Sequence, residues 1–263
     1  MTIFQAIIYG IVQGIGEFLP ISSSGHLIAL PIILGWKDPG LAFDVALHLG
    51  TLVAVIAFFW RDWINLITAG FTKRKSKDGK LFWYIVVATI PGAIIGKLLE
   101  KKAEVAFRNL ALVGTMLIVM GIIMYIADKI EQTNVEVENI GLKRSFIIGC
   151  SQAFAIIPGV SRAGVTMSSG LFTGLTKEGA ARFSFLLSTP LILGAGLLKL
   201  KNIINTPADQ VPAVIVAIVT SAVVGFLSIK FLLSYLKKNG FGIFVLYRLV
   251  AGIAFISIFF LRK

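Results

Sequence analysis

The sequence predicts an all-α polytopic membrane protein built as an inverted-topology repeat, with six transmembrane helices and two re-entrant helical hairpins. Three observations lead to this fold class. Hydrophobic residues make up 57% of the 263-residue chain and charged residues 14%, whereas about a quarter of a soluble domain is charged. Several continuous runs reach the roughly 20 apolar residues that span a bilayer. Two polar stretches, each interrupted by glycine and proline, recur in corresponding places of the two halves, as in membrane proteins with inverted repeats.

The first element is a hairpin centred on residues 13–27, QGIGEFLPISSSGHL. Glycines weaken a helix and Pro20 removes a backbone donor, so the apolar pattern breaks here. The serines after the break are good N-caps for a new helix near Gly25. We therefore predict two short helices that meet at an unwound tip, whose free amides would suit an anion. A carboxylate, three hydroxyls and a histidine at membrane depth are costly unless paired, which marks the tip as a candidate functional site.

Three spans follow the hairpin in each half. They are predicted at residues 42–60, 81–99 and 110–127 in the first half, and at 183–200, 211–236 and 241–261 in the second. Residues 63–80 form a loop that holds the densest basic run, KRKSKDGK. Because short loops rich in Lys and Arg stay in the cytoplasm, this loop is expected inside, and the first hairpin is expected to open to the outside.

The second half repeats the order of the first. It begins with an apolar segment, residues 145–157, followed by PGVSRAGVT at 158–166. Three pairs of positions match at a constant distance of 139 in the chain: Gln13 with Gln152, Ser22 with Ser161 and Gly25 with Gly164. We divide the single membrane domain, 1–263, into repeat one at about 1–127, a linker at 128–143 and repeat two at about 144–263. Three crossings in each repeat turn the second copy upside down, so the two hairpin tips enter from opposite faces and meet near the midplane.

The net charge of +12 does not point to nucleic acid. The basic residues lie mostly in short loops between spans, where they set the orientation and meet anionic lipid headgroups. We therefore expect membrane lipid around the chain and no nucleic-acid partner. The single cysteine, Cys150, excludes an intramolecular disulfide.

Arg162 gives the second tip a fixed positive charge. Arginine holds phosphate oxygens through two parallel hydrogen bonds, and the neighbouring Ser161, Gly164 and Thr166 offer hydroxyls and closely approachable backbone amides. An arginine at membrane depth needs a partner. That partner is either an anionic ligand or Glu17 in a purely structural ion pair, and the sequence leaves both open.

Ser23 and His26 of the first tip are three residues apart, so on a helical turn they share a face. That arrangement suits a hydroxyl activated by an imidazole base. Glu17 could orient His26, act as a base itself or bind a divalent ion. Gln13 cannot ionise, so it could act only through hydrogen bonds or as an oxygen ligand.

Further polar residues lie inside the predicted spans, and three of them bear on the site. Asp44 and His48 are four apart on one helix face, where they supply either a second layer around the tip or ordinary packing contacts. Arg248, halfway along the last span, is expected to pair with a carbonyl or a carboxylate.

The two polar stretches resemble the signatures of the undecaprenyl-diphosphate phosphatase family linked to bacitracin resistance, and the resemblance covers the whole chain. The first signature is Glu or Gln, three residues, then Glu, followed by a serine-rich turn and histidine; it is matched by Gln13, Glu17, Ser22, Ser23 and His26. The second, PGxSRSGxT, is matched by Pro158, Gly159, Ser161, Arg162, Gly164 and Thr166. Ala163 stands where the second signature has serine, and Gln13 takes the neutral option, which leaves Glu17 as the only carboxylate of the motif.

The resemblance implies hydrolysis of a C55 isoprenoid diphosphate to the monophosphate in the bacterial plasma membrane, which recycles the lipid carrier of cell-wall synthesis. It also implies a divalent cation, Mg or Ca, as cofactor and a polyprenyl diphosphate lipid as substrate. The orientation expected from the basic loop places the pocket opening at the outer face. We assign catalytic roles to Glu17, Ser23, His26 and Arg162, with Glu17 also as metal ligand. Substrate-binding roles go to Gln13, Ser22, Ser161, Gly164 and Thr166. The nucleophile is left open between Ser23, His26 and water.

Other functions fit parts of the sequence. Inverted repeats with broken helices at the midplane are also a transporter design, so an isoprenoid-lipid flippase or carrier is the main alternative. SSSGH is similar to an element of the acid-phosphatase-like lipid phosphatases. That superfamily needs a second catalytic histidine after its SR element, however, and no residue after Arg162 is histidine. A homodimer is kept open.

Overall fold

The computed structural model describes residues 1–105, 109–130, 134–204 and 207–262. Over these ranges the chain is helical, with turns and two short 3-10 helices between the α-helices and one isolated bridge that joins Val135 to Leu175. The all-α fold class is confirmed. Of the predicted linker, residues 131–133 lie outside the described ranges.

Eleven α-helices lie in the described ranges. They are α1 (Ile3–Phe18), α2 (Ser23–Leu34), α3 (Leu41–Phe58), α4 (Trp60–Thr72), α5 (Lys77–Val105), α6 (Leu110–Lys129), α7 (Gly141–Ser151), α8 (Arg162–Phe172), α9 (Lys177–Ile204), α10 (Val211–Leu236) and α11 (Gly242–Leu261). The 3-10 helices are Val137–Asn139 and Gln152–Ile156.

Five of these helices are long and apolar enough to cross a membrane: α5, α6, α9, α10 and α11. Helices α3 and α4 form a pair bent by 77°, which makes a sixth crossing if the two are counted as one span. These six helices correspond to the six predicted spans, although α5 and α9 begin earlier than predicted. The chain is therefore a multi-pass membrane protein.

The loop predicted at residues 63–80 is wrong over much of its length, because α4 occupies its first part. Leu66 and Gly70 are buried on one side of this helix. Apolar side chains remain exposed on the other side: Ile64, Ile67 and Phe71. A helix with both an apolar outer face and a buried face suits the membrane interface. The first part of the predicted loop is thus a helix that follows α3, and the basic residues after it lie in a tight turn and at the start of α5.

Both predicted hairpins are present. Helices α1 and α2, of 16 and 12 residues, meet at a break over residues 19–22, and both are shorter than the roughly 20 residues of a span. In the second half α7 runs into a 3-10 segment, and a break over residues 157–161 precedes α8. Each hairpin therefore enters the bundle with an unwound tip.

Ser22 and Ser161 shape the two tips in the same way. Their φ angles, 75° and 71°, lie in the left-handed region that residues other than glycine rarely adopt. Each hydroxyl accepts a hydrogen bond from the N–H three residues on, that of Gly25 at 3.4 Å and that of Gly164 at 3.1 Å. The hydroxyls therefore cap the following helices, and α2 begins at Ser23, earlier than the predicted start near Gly25.

The two halves pack against each other reciprocally. Helix α1 lies on α10, and α7 lies on α5. Glycines make both contacts close, since a Cβ on Gly10 would lie 2.9 Å from the carbonyl oxygen of Ala217 and a Cβ on Gly149 would overlap the carbonyl of Ala88. Gly10 and Gly149 are 139 positions apart, so the packing agrees with the matched positions of the predicted repeat.

Arg248 of α11 joins the two hairpin tips. Its side chain is 0% exposed, and its guanidinium donates hydrogen bonds to four backbone carbonyls: Leu117 (3.2 Å), Pro20 (2.9 Å), Gly159 (2.7 Å) and Val160 (3.1 Å). The tips also touch directly, because the N–H of Gly159 donates to Ser22 Oγ at 3.2 Å. The predicted convergence of the tips and the predicted pairing of Arg248 with a carbonyl are both confirmed.

We predict that Arg248→Lys destabilises the protein. Lysine keeps the charge but is a point donor that lacks the planar fork, so it cannot reach all four carbonyls. Each hydrogen bond that is not replaced should cost about 1.5–3 kcal/mol. Thermal unfolding in detergent should show a lower midpoint, whereas Arg61→Lys on the exposed side of α4 should leave it unchanged. Equal midpoints for the two variants would contradict the anchoring role.

Candidate active site

A cavity of about 500 Å³ lies between the hairpins and helices α3, α5 and α9. Its polar lining includes Glu17, Ser23, His48, Gln152, Ser161 and Arg162. Much of the remaining wall is built from small or apolar residues: Gly92, Ala93, Gly96, Gly194, Ala195 and Gly196. The cavity therefore offers both polar groups and a wall of small residues to a ligand.

Glu17 is the centre of the polar cluster and is 6% exposed. Its Oε1 accepts a hydrogen bond from the Arg162 guanidinium at 3.0 Å. Its Oε2 receives the Ser23 hydroxyl at 2.9 Å and the Gln13 amide at 3.1 Å, and lies 3.3 Å from His48 Nε2. The buried carboxylate is thus paired with a cation and surrounded by donors, which is what a charge at membrane depth requires.

The elements that meet at Glu17 explain this cluster. Gln13 and Glu17 are four apart near the end of α1, so they lie on one helix face. Ser23 is the first residue of α2 and Arg162 the first of α8. The two broken helices therefore present their first turns to the same carboxylate, and α3 brings His48 to it from a third side.

Arg162 has a donor nitrogen to spare. Its guanidinium pairs with Glu17 and also donates to the backbone carbonyl of Ser184 at 3.0 Å. The Nε atom is buried and has no hydrogen-bond partner within the described chain. The structural ion pair considered from the sequence is present, and the guanidinium still has a nitrogen without a partner within the described residues.

His48 was not assigned to the site from the sequence. Its Nδ1 lies 2.7 Å from the backbone carbonyl of Asp44, and its Nε2 faces the Glu17 carboxylate. Both ring nitrogens face oxygen acceptors, so the doubly protonated ring satisfies both contacts. The spacing of Asp44 and His48 was the available signal, but only the packing of α3 against α1 shows that the ring reaches Glu17.

His26 does not lie where the sequence placed it. Its Nδ1 is 2.7 Å from the backbone carbonyl of Ser22, and its Nε2 is 2.6 Å from the Tyr247 hydroxyl, with the two rings stacked at 5.6 Å. Both ring nitrogens are engaged, so neither is available to Ser23. The expected Ser23–His26 contact is corrected: the ring bonds back to the open first turn of α2 and turns toward α11, while Ser23 turns toward Glu17.

The remaining predicted site residues lie at or behind the cavity wall. Ser161 lines the cavity, while Ser22 and Gly164 take part in the capping contacts of the tips. Thr166 Oγ1 donates to the carbonyl of Arg162 at 2.7 Å and is 2.7 Å from Ser184 Oγ. Thr166 thus supports the turn that carries Arg162.

Few side-chain oxygens near Glu17 could serve as ligands for a metal ion. No group of three or more His, Cys, Asp or Glu side chains suited to a metal occurs in the described part of the chain. The Oε1 of Gln13 is buried without a partner there, whereas the oxygens of the Glu17 carboxylate already accept hydrogen bonds that a metal ion would replace. These oxygens fit a divalent ion whose other ligands come from a phosphate-bearing molecule, as is usual for Mg²⁺.

Comparisons with known proteins agree along the whole chain. The family model described as bacitracin resistance protein BacA matches residues 6–254. The undecaprenyl-diphosphatase of Pelotomaculum thermopropionicum is 57% identical over 256 residues, covering 97% of this chain and 96% of the relative. That of Moorella thermoacetica is 52% identical over the full length of both chains, and that of Caldicellulosiruptor bescii is 50% identical over 100% of this chain and 99% of the relative. The chain belongs to the bacitracin resistance protein BacA family.

Proposed function

We infer that this chain hydrolyses undecaprenyl diphosphate to undecaprenyl phosphate and inorganic phosphate. The relatives at 50–57% identity carry the name undecaprenyl-diphosphatase. The structural observation that carries the inference is the Glu17–Ser23–Arg162 cluster on the wall of a cavity within a membrane bundle. The reaction returns the lipid carrier to cell-wall synthesis.

The cavity suggests how the substrate lies. The diphosphate is placed at the polar end, against Arg162 and Ser161, since guanidinium and hydroxyl groups bind phosphate oxygens. The isoprenoid tail is placed along the small residues of α9 and at Ala93 and Gly96 of α5, where small side chains leave room for it. Headgroup and tail therefore meet different surfaces of the same cavity.

Ser23 is the side chain best placed to attack. Its hydroxyl already donates to Glu17 at 2.9 Å, so the carboxylate can accept the proton as Ser23 Oγ, or a water in its place, bonds to the terminal phosphorus. The bond from that phosphorus to the bridging oxygen breaks, and undecaprenyl phosphate leaves. Water then releases the phosphate if a serine ester has formed. Arg162 balances the charge that develops on the phosphoryl oxygens.

We propose that a divalent cation, Mg or Ca, accompanies the diphosphate. Glu17 and Gln13 Oε1 would hold it from the protein side, and when bound it neutralises phosphate charge. The same residues act without it to hold Ser23 and Arg162 in place, through the contacts described above.

We also propose the bacterial plasma membrane as the location, with the cavity open to the outer face. The support is the basic turn between α4 and α5, which includes Lys73, Arg74 and Lys75. Positively charged short loops are retained on the cytoplasmic side, which leaves the opening of the first hairpin on the opposite face.

The activity is testable in detergent micelles. Purified protein should release inorganic phosphate from undecaprenyl or farnesyl diphosphate, because hydrolysis needs neither a gradient nor a second compartment. A chelator should suppress the release and added Mg or Ca should restore it. A lipid carrier without phosphatase activity would release no phosphate in micelles, and that result would refute the proposed function.

Arg162→Ala should lower kcat by about 10²–10³-fold or more, as for other removed donors to a transition-state anion. Arg162→Lys should recover only part of the rate, since lysine cannot make two parallel hydrogen bonds. Phosphate release measured against substrate concentration checks both variants, with the exposed Arg61→Ala as control. Turnover by Arg162→Ala close to that of the unmodified protein would remove Arg162 from the mechanism.

A phosphoenzyme trap distinguishes the nucleophiles. With substrate labelled on the terminal phosphate and rapid quenching, a serine nucleophile predicts label on Ser23, lost in Ser23→Ala. His26→Gln should still form the labelled species, because His26 faces Tyr247 rather than the cavity. Label recovered on His26 would overturn the assignment, and an active but never labelled protein would identify water as the nucleophile.

A further inference from the structure

Gln152 carries the most conspicuous unsatisfied group outside the cluster already described. It opens the 3-10 segment of the second hairpin, is 2% exposed, and lines the same cavity as Glu17 and Arg162. Neither its Nε2 nor its Oε1 has a hydrogen-bond partner within the described residues. A buried amide without partners costs folding free energy, so each such group in a native structure needs an explanation.

The matching glutamine in the first half of the chain shows what the Gln152 amide could do beside a carboxylate. Gln13, 139 positions earlier, donates its amide to Glu17. The residue that matches Glu17 in the second half is Ile156, whose side chain has no hydrogen-bond acceptor. The second half therefore keeps the amide donor but lacks the carboxylate that would receive it.

The surroundings hold the Gln152 amide in place. A Cβ added to Gly92 of α5 would lie 2.7 Å from Gln152 Nε2, so the amide packs directly on the α5 backbone. Gly92 also lines the cavity. The glycine thus leaves room for the amide at a site that a larger residue would close.

We propose that Gln152 is a further substrate-binding residue, whose Nε2 donates to a phosphate oxygen of the bound diphosphate and whose Oε1 accepts from a water held with it. The ligand oxygen takes the place that Glu17 takes for Gln13. This assignment rests on the proposed function, because it names the diphosphate head as the group that enters the cavity. It adds a contact from the second hairpin that is independent of Arg162.

The test compares Gln152→Leu with Gln210→Leu, the same change at an exposed position before α10. For Gln152→Leu, KM for farnesyl diphosphate in micelles should rise about tenfold or more, in line with a lost hydrogen bond to a charged acceptor. The thermal midpoint without ligand should stay equal or rise, because an unpaired buried amide has been replaced by an apolar group of similar size. Gln210→Leu should change neither quantity.

A second variant and a second readout make the outcomes distinct. Gly92→Ala should raise KM in the same direction, because its Cβ displaces the Gln152 amide. Inorganic diphosphate should raise the thermal midpoint of the unmodified protein and raise that of Gln152→Leu less. If this difference appears although no phosphate is released from lipid, the contact stands and the proposed function fails. An unchanged KM, or a lowered ligand-free midpoint with equal diphosphate shifts, would overturn the assignment and make Gln152 a structural amide.

Discussion

Two broken helices leave open backbone inside an apolar bundle, and Arg248 binds the carbonyl oxygens that result. Its four acceptors come from both tips and from α6. Away from water, backbone polar groups must be satisfied within the protein, so the breaks and the buried cation depend on each other. Glu17 and Arg162 each lie within three residues of a carbonyl bound by Arg248. Their contact at 3.0 Å therefore depends on this anchor.

Much of the architecture was predictable because the membrane makes local signals strong. Proline combined with nearby serines inside an apolar run predicts a break, and the breaks occur at residues 19–22 and 157–161, whereas the isolated Pro31, Pro91 and Pro190 lie inside helices. The spans follow from length and composition alone. The Glu17–Arg162 contact was predictable as well, since an arginine at this depth needs an anion and few are available.

Other features required the three-dimensional arrangement. Helical spacing placed Ser23 and His26 on one side of α2. Spacing does not show which neighbouring helix offers the imidazole a hydrogen-bond partner, and that partner is Tyr247 of α11. The role of His48 depends on how α3 packs on α1. Helix α4 was predicted as part of a loop, because its apolar run is too short to span a bilayer and only the packing shows that one of its faces is buried.

The matched positions of the two halves hold different chemistry. Ser23 stands where the second half has Arg162, and Glu17 stands where it has Ile156. Two identical chains related by a twofold axis would carry every side chain twice, so an acid and a guanidinium could not each be confined to one side of the cleft. Joined in a single polypeptide, the two halves can carry different side chains at matched positions. Covalent linkage of the two halves therefore allows an asymmetric cleft, with the carboxylate on one side and the guanidinium on the other.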